Sequence, residues 1–444
     1  MLRTHAHLPP RRRHLRCISS SFEARPHELS MSGQSVHVHY GSKVVASRLG
    51  ALGRSSGMNK VLLVRDRNAF ATSHAHFAEY LLMQKGIPCF QYTLERDCAT
   101  LSEVDVAVAT ARRVGADGVV AFGGGNVLDL GRVVAVAMAN GGTASEVLVN
   151  NANVADDEKL KLQQGNWNSV PLLLVPTISG SGAEVANSPL LLDEEEERKF
   201  LFAPEKAIVP EVVLIDPGLM LTVPLRPTVQ GALTALGQCL ESYLIGCADD
   251  ATTKLALEGF EAIATTLAAP LIEGRLDLSS ALMREQFAIG SLLSGIAANS
   301  SGAGATQSLA VSIGGISDLP HAQVATALLP FVFDRYAALA CENEGDVFFD
   351  DLNKKLEAAV DRLTFVTGSK GNDMSSWLRY VIKRFDLPTV SALELEKSLI
   401  DGIVDRAVQC QENSMNICCG DDKSAIIETD DFHAIINASV ESKK

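Results

Sequence analysis

Residues 118–132 read Gly-Val-Val-Ala-Phe-Gly-Gly-Gly-Asn-Val-Leu-Asp-Leu-Gly-Arg. The first five form a short apolar, β-branched run of the length of a buried strand. Three glycines follow, Gly123, Gly124 and Gly125, then Asn126 and a stretch from Val127 to Ala139 whose periodicity predicts a helix. A loop without side chains between strand and helix lets backbone N–H groups approach an anion, and the helix N-terminus adds a favourable dipole. The pattern is not the Gly-x-Gly-x-x-Gly dinucleotide fingerprint, and it follows the third strand of the chain rather than the first. A plain tight turn would use the same residues.

Upstream of this stretch, Val61–Val64 and Cys89–Thr93 predict strands, and Phe70–Lys85 and Glu103–Val114 predict helices. Gly86 and Pro88 stop the first helix. Downstream, Pro171–Val175 and Val212–Ile215 predict further strands, with a polar loop insertion at Asn150–Asn168 and a solvated acidic turn at Asp193–Glu197. Strands alternating with helices imply a parallel sheet with helices on its faces. After Asp216-Pro217 the strand signals end. Ala232–Ile245, Thr253–Ala269 and Ala281–Ala298 predict long helices, the second stopped by Pro270. The expected fold is an α/β dinucleotide-binding domain at 36–218 followed by an all-α domain at 219–444.

A second loop, Pro176-Thr-Ile-Ser-Gly-Ser-Gly-Ala-Glu184, also follows an apolar strand and is rich in hydroxyls and glycines. Two such loops at strand ends of one sheet make a dinucleotide cleft. Asp66 ends the first strand; in the iron-containing alcohol dehydrogenases, which these two loops resemble, an Asp there faces the adenosine ribose, and a carboxylate favours a 2′-OH and repels a 2′-phosphate, so NAD is expected. Arg65 and Arg67 flank it and leave NADP open, and a solvated charged turn would read the same way.

The net charge of −14 argues against nucleic acid or an anionic membrane as partner. No uninterrupted apolar run has the length of a membrane span. The nine cysteines are thinly spread and suit reduced thiols. Residues 1–22 hold Arg3, Arg11, Arg12, Arg13 and Arg16 with several serines and no acidic residue, a composition that suits a transit peptide, mitochondrial or plastid. A disordered tail is the other reading, and a start at Met31 would leave the protein cytoplasmic. Residues 1–35 are therefore set apart from the fold.

Gly-Gly-Gly-Asn-Val-Leu-Asp-Leu-Gly-Arg and Pro-Thr-Ile-Ser-Gly-Ser-Gly-Ala-Glu match, in order and spacing, two signature stretches of one family. On them the chain resembles the iron-containing alcohol dehydrogenases, a branch of the dehydroquinate-synthase-like fold. The resemblance implies that Gly123, Gly124, Gly125 and Asn126 hold the pyrophosphate of NAD. It places Thr177 and Ser181 near the nicotinamide side and phosphates, and has Asp129 fix the glycine loop. Arg132 replaces the usual Lys. It also implies a small-molecule alcohol, aldehyde or oxoacid as substrate, and allows a homodimer.

The same family holds one Fe²⁺ or Zn²⁺ with an Asp and three His. The matched positions here are Thr234, Gln238, Gln307 and His321, of which only His321 is a good ligand. Eight of the ten histidines lie at or before residue 76, leaving His321 and His433 beyond it. A three-His site in the helical domain cannot be built, so a metal is not expected. Glu241 could be recruited, but it matches a family glutamate that is not a ligand, and Cys239 is expected to pack in the core. Pro320-His321-Ala322 resembles maleylacetate reductases, metal-independent members of the family, although those keep a His at the position of Gln238. The expected chemistry is hydride transfer, with Gln238 and Gln307 amides donating to the substrate oxygen and His321 as proton donor. A structural role for His321 is the alternative at that residue. For the whole chain the alternatives are a catalytically silent nucleotide-binding paralogue and, third, a sugar-phosphate cyclase, which would need zinc and surrounding basic residues.

Overall fold

The computed structural model describes residues 27–31, 34–67, 69–140, 143, 168–201, 208–244, 249–271, 276–368, 373–419 and 427–442. Most of the segment read as a transit peptide, and all but the last residue of the polar insertion at 150–168, lie outside them.

A seven-stranded sheet forms the N-terminal domain. Its strands are β1 (His27–Met31), β2 (Gln34–Tyr40), β3 (Val61–Asp66), β4 (Cys89–Leu94), β5 (Gly118–Gly123), β6 (Leu172–Pro176) and β9 (Val212–Ile215), in the order β1-β2-β9-β6-β5-β3-β4. All neighbours run parallel except the edge pair, where β1 is antiparallel to β2. The sheet therefore begins inside the segment set apart as 1–35. That strand escapes a sequence reading because it is short and polar and follows closely on the arginine-rich, acid-free stretch 1–22 that suggested a tail.

The inner strands β3, β5, β6 and β9 read as nearly continuous apolar runs because both faces are covered. Leu62, Val64, Val119, Ala121, Leu172 and Leu174 point into one core, which α3 (Leu101–Val114) and α4 (Gly125–Asn140) cover. Val61, Leu63, Val120, Phe122, Leu173 and Val175 point into the other, against α1 (Val44–Ser55) and α2 (Ala69–Met83). Helix α3 shows how locally the elements are specified. Thr100 accepts from the Glu103 N–H at its start, and Gly115 ends it with φ 68°.

The acidic run 194–197 is the turn of a hairpin between β7 (Leu190–Asp193) and β8 (Arg198–Leu201). It is not wholly solvated, because Glu194 pairs with Arg96 at 2.5 Å and takes hydrogen bonds from Ser102.

The C-terminal domain consists of α5 (Leu225–Leu244), α6 (Asp250–Leu267), α7 (Ala281–Ser301), α8 (Ala305–Gly315), α9 (His321–Glu342), α10 (Val347–Thr367), α11 (Met374–Arg384), α12 (Ile400–Cys419) and α13 (Thr429–Glu441). These close on their own core, in which Cys239 is buried as expected. Helix α9 has the length and hydropathy of a membrane span, but 67% of its apolar window is buried, as in the centre of a helical domain. Helix α7 joins the domains, since Ala288, Ile289, Leu292 and Leu293 enter the core under the sheet.

Candidate functional site

The site lies at the C-terminal ends of three adjacent parallel strands. Residue pairing puts Asp66 at the end of β3, Gly123 at the end of β5 and Pro176 at the end of β6, with Gly123 directly opposite Pro176. Ligands of open α/β sheets bind at such an edge. Here the two glycine-rich loops face the helical domain across a cavity of about 440 Å³. Asp66, Asp97, Gly124, Gly125, Asn126 and Asp129 line one part of it. Ser181, Thr234, Gln238, Gln307 and His321 line another. Residues separated by more than 250 positions thus share one space, as expected from the sequence.

Individual roles shift. Gly123 and Thr177 are not among the lining residues. Thr177 N–H donates to the Gly123 carbonyl at 3.0 Å, so this pair stitches the two loops together. A Cβ on Gly123 would lie 2.7 Å from the Asp66 carboxylate and from Val127, so the glycine is required for packing. Asp129 does not fix the glycine loop; Asp66 does. The Gly124 N–H donates to Asp66 Oδ2 at 3.0 Å, which leaves the other carboxylate oxygen for a ribose. Burial raises the Asp66 pKa, and that hydrogen bond opposes the rise. The N–H groups of Gly125 and Asn126, the first two of α4, have no carbonyl a turn earlier in the helix and are the ones available to a pyrophosphate. The Asn126 side chain donates instead to the Asp97 carbonyl at 2.5 Å.

Asp129 belongs to a buried group with Arg132 and Glu184. Burial pushes both carboxyls up to about 7, while the guanidinium between them pulls them back. Burial also lowers Arg132, but an arginine stays protonated, so this pair of carboxyls supplies the balancing charge. Arg132 Nη2 reaches the Ala186 carbonyl at 2.5 Å and braces the segment after the second loop.

That second loop is gripped by the helical domain. Gly182 has φ +71°, and a Cβ there would lie 2.5 Å from the Ser291 carbonyl oxygen and 2.7 Å from Gly295. On the other side, a Cβ on Gly231 of α5 would overlap the Ser179 carbonyl. Ser291 Oγ accepts from the Gly180 N–H at 2.9 Å. The sequence reading missed Gly231, Gly295 and Ser291. Glycines inside otherwise strong helices are the signal that could have found the first two, because they mark close backbone approach.

The matched ligand positions are committed elsewhere. The Thr234 hydroxyl donates to the Gln230 carbonyl at 2.9 Å. Gln238 Nε2 donates to the carbonyls of Ser181 and Ser294, each at 3.2 Å. Gln238 is therefore a staple between the second loop and α7, and its amide protons are not aimed at a substrate oxygen. His321 Nε2 and Gln307 Oε1 lie 2.7 Å apart, leaving Gln307 Nε2 and His321 Nδ1 without partners. Burial, and then the charge of Lys199, push the His321 pKa down to about 4. With that low proton affinity the imidazole rests neutral near pH 7. One hydroxyl, two amides and one imidazole do not suit Fe²⁺ or Zn²⁺.

Glu241 is not recruited. Its Oε1 accepts from the Thr306 N–H and from the Tyr336 hydroxyl, both at 3.0 Å, and so caps the N-terminus of α8, the helix that carries Gln307. Burial pushes this carboxyl up to about 7 from 4.5. A raised carboxyl binds its proton more tightly in the folded state. Its contribution to stability is present below pH 4.5 and is lost as pH rises through 7. The loss is on the order of 3 kcal/mol. Urea unfolding of Glu241→Gln should therefore show a flatter decline in stability between pH 5 and 8 than the unaltered protein. Parallel declines would show that Glu241 is ionised throughout.

Comparison with known proteins agrees with this architecture. Residues 36–217 match the model of the iron-containing alcohol dehydrogenases, and residues 228–428 match the C-terminal model of the same family. The chain belongs to the iron-containing alcohol dehydrogenase family. It is 29% identical over 251 residues to the probable alcohol dehydrogenase EutG of Salmonella typhimurium, covering 56% of this chain and 59% of that protein. It is 24% identical over 353 residues to the choline dehydrogenase of Bacillus subtilis, covering 80% and 83%. The match thus spans about three fifths of the EutG relative. Among solved structures, an archaeal alcohol dehydrogenase from a Red Sea brine pool superposes with TM-score 0.75 at 18% identity, covering 94% of this chain and 99% of that one. Maleylacetate reductase from Agrobacterium tumefaciens superposes with TM-score 0.65 at 19% identity, covering 94% and 98%. At these identities the structural likeness speaks to the fold.

Proposed function

We propose that this family member is an NAD-dependent oxidoreductase acting on a small alcohol, aldehyde or oxoacid without a resident metal. The observation that carries the reading is the single cavity in which the glycine loop, the second loop and the Gln307–His321 pair meet. A bound nicotinamide supplies or accepts the hydride. The chain's own groups handle the substrate oxygen. With the Gln307 carboxamide oxygen facing the ring, His321 carries its proton on Nε2 and presents Nδ1 as an acceptor. A neutral imidazole so arranged takes the proton of an alcohol hydroxyl, while Gln307 Nε2 donates to the same oxygen. The low proton affinity of His321 makes it a weak base, so it acts late, as loss of hydride makes the hydroxyl acidic.

A second reading, a nucleotide-binding paralogue without turnover, draws support from Gln238, whose amide is spent on backbone carbonyls. NADH binding without turnover on a panel of alcohols, aldehydes and oxoacids would select it.

Metal analysis tests the central claim. Protein purified without added metal is expected to carry no stoichiometric Fe or Zn, and chelators should leave NADH binding intact, because zinc sites need at least three good ligands. About one Fe or Zn per chain, lost together with activity in His321→Ala, would restore a metal mechanism.

A further inference from the structure

Beside the glycine loop the cavity is lined by two carboxylates, Asp66 and Asp97; Arg65 and Arg67 flank Asp66 in the chain, and Arg67 pairs with Asp97. Either arginine would suit an adenosine 2′-phosphate. Both are engaged. Arg65 Nε donates to Gln91 Oε1 at 2.9 Å and Nη1 to the Asp66 carbonyl at 2.8 Å. Arg67 Nη2 donates to both carboxylate oxygens of Asp97, each at 3.0 Å, and Nη1 to the Glu95 carbonyl at 2.6 Å. The turn that bears Asp97 is itself tied to the first turn of α4, through the bond from Asn126 to the Asp97 carbonyl.

We propose that Asp97 is a specificity-determining residue: it holds Arg67 in an ion pair beside Asp66, so that the site refuses an adenosine 2′-phosphate. The inference rests on the dinucleotide reading above and deepens it. A phosphate bound here would meet the Asp66 carboxylate and find the neighbouring guanidinium already paired with Asp97. The Arg67–Asp97 pair is half exposed, with side chains 53% and 68% accessible. Exposed pairs contribute little to stability, so the pair can be dismantled without harming the fold. Asp66 is a poorer test position, because its carboxylate also holds the Gly124 N–H.

NADH and NADPH are titrated, by nicotinamide fluorescence, into the unaltered protein, Asp97→Ala and Asp97→Ala/Arg67→Ala. The unaltered protein should prefer NADH. Asp97→Ala should bind NADPH about tenfold more tightly or better, the scale of one charge-assisted contact, with little change for NADH. That gain should shrink with added salt and vanish in the double variant. An unchanged NADPH-to-NADH ratio in Asp97→Ala, or a gain that survives loss of Arg67, overturns the assignment while leaving the cofactor reading standing. Binding of neither nucleotide by the unaltered protein overturns the cofactor reading, and this inference with it.

Discussion

Gly182→Ala is expected to destabilise the protein by several kcal/mol, whereas Gly180→Ala, two residues away in the same loop, should be close to neutral. Two costs add at Gly182. Its φ of +71° lies in the left-handed region, which a Cβ disfavours by about 1–2 kcal/mol. The new carbon would also sit 2.5 Å from the Ser291 carbonyl and 2.7 Å from the Gly295 backbone, neither of which can turn aside. Overpacking of that kind costs about 1–3 kcal/mol more. A Cβ on Gly180 would meet nothing within 4 Å. Gly182 and Gly295 pack backbone to backbone where the second loop crosses α7, so the strain should be felt at the seam between the domains. Urea unfolding of the two variants side by side checks this. Equal midpoints would mean that the loop does not make this close crossing.

The parts of the molecule governed by local rules were legible in advance. The alternation of buried strands with amphipathic helices between residues 61 and 140 needs only periodicity and turn chemistry, and β3, β4, β5, β9 and their helices lie within a few residues of their expected places. The two glycine loops were legible because they combine a strand end with missing side chains. What the sequence could not show is how each polar group is partnered. Gln238 looked like a hydrogen-bond donor to substrate, yet its partners are backbone carbonyls 56 and 57 residues away. Asp66, not Asp129, holds the glycine loop for the same reason. A carboxylate's role is set by which N–H the fold delivers to it, and Gly124 arrives at Asp66 from 58 residues downstream. Glu241 carries the same lesson, since its cap on α8 depends on a chain crossing that leaves room only for glycine at 304. Motif spacing pointed to the candidate site, and long-range packing sets how its polar groups are partnered.

Gly124→Val should abolish tight NADH binding, weakening it at least about a hundredfold, with the fold retained. The two neighbouring glycines separate packing from binding. At Gly123 a Cβ would strike Asp66 and Val127 at 2.7 Å, so Gly123→Ala should lower stability. At Gly124 the sole neighbour of a Cβ would be Ile178 Cγ2 at 3.3 Å, a contact that a slight side-chain movement relieves. Gly124 and Ile178 both line the cavity, so valine methyl groups would fill the gap between the two loops and hold a pyrophosphate away from Gly125 and Asn126. Charge-assisted hydrogen bonds to a phosphate contribute about 1.5–3 kcal/mol each, and losing two of them accounts for the expected factor. Fluorescence titration of NADH, paired with urea unfolding of the same preparation, reads binding and folding separately. Unchanged NADH affinity in a folded Gly124→Val protein would remove the pyrophosphate from this loop. A collapse of stability matching that of Gly123→Ala would show that Gly124 is a packing residue as well.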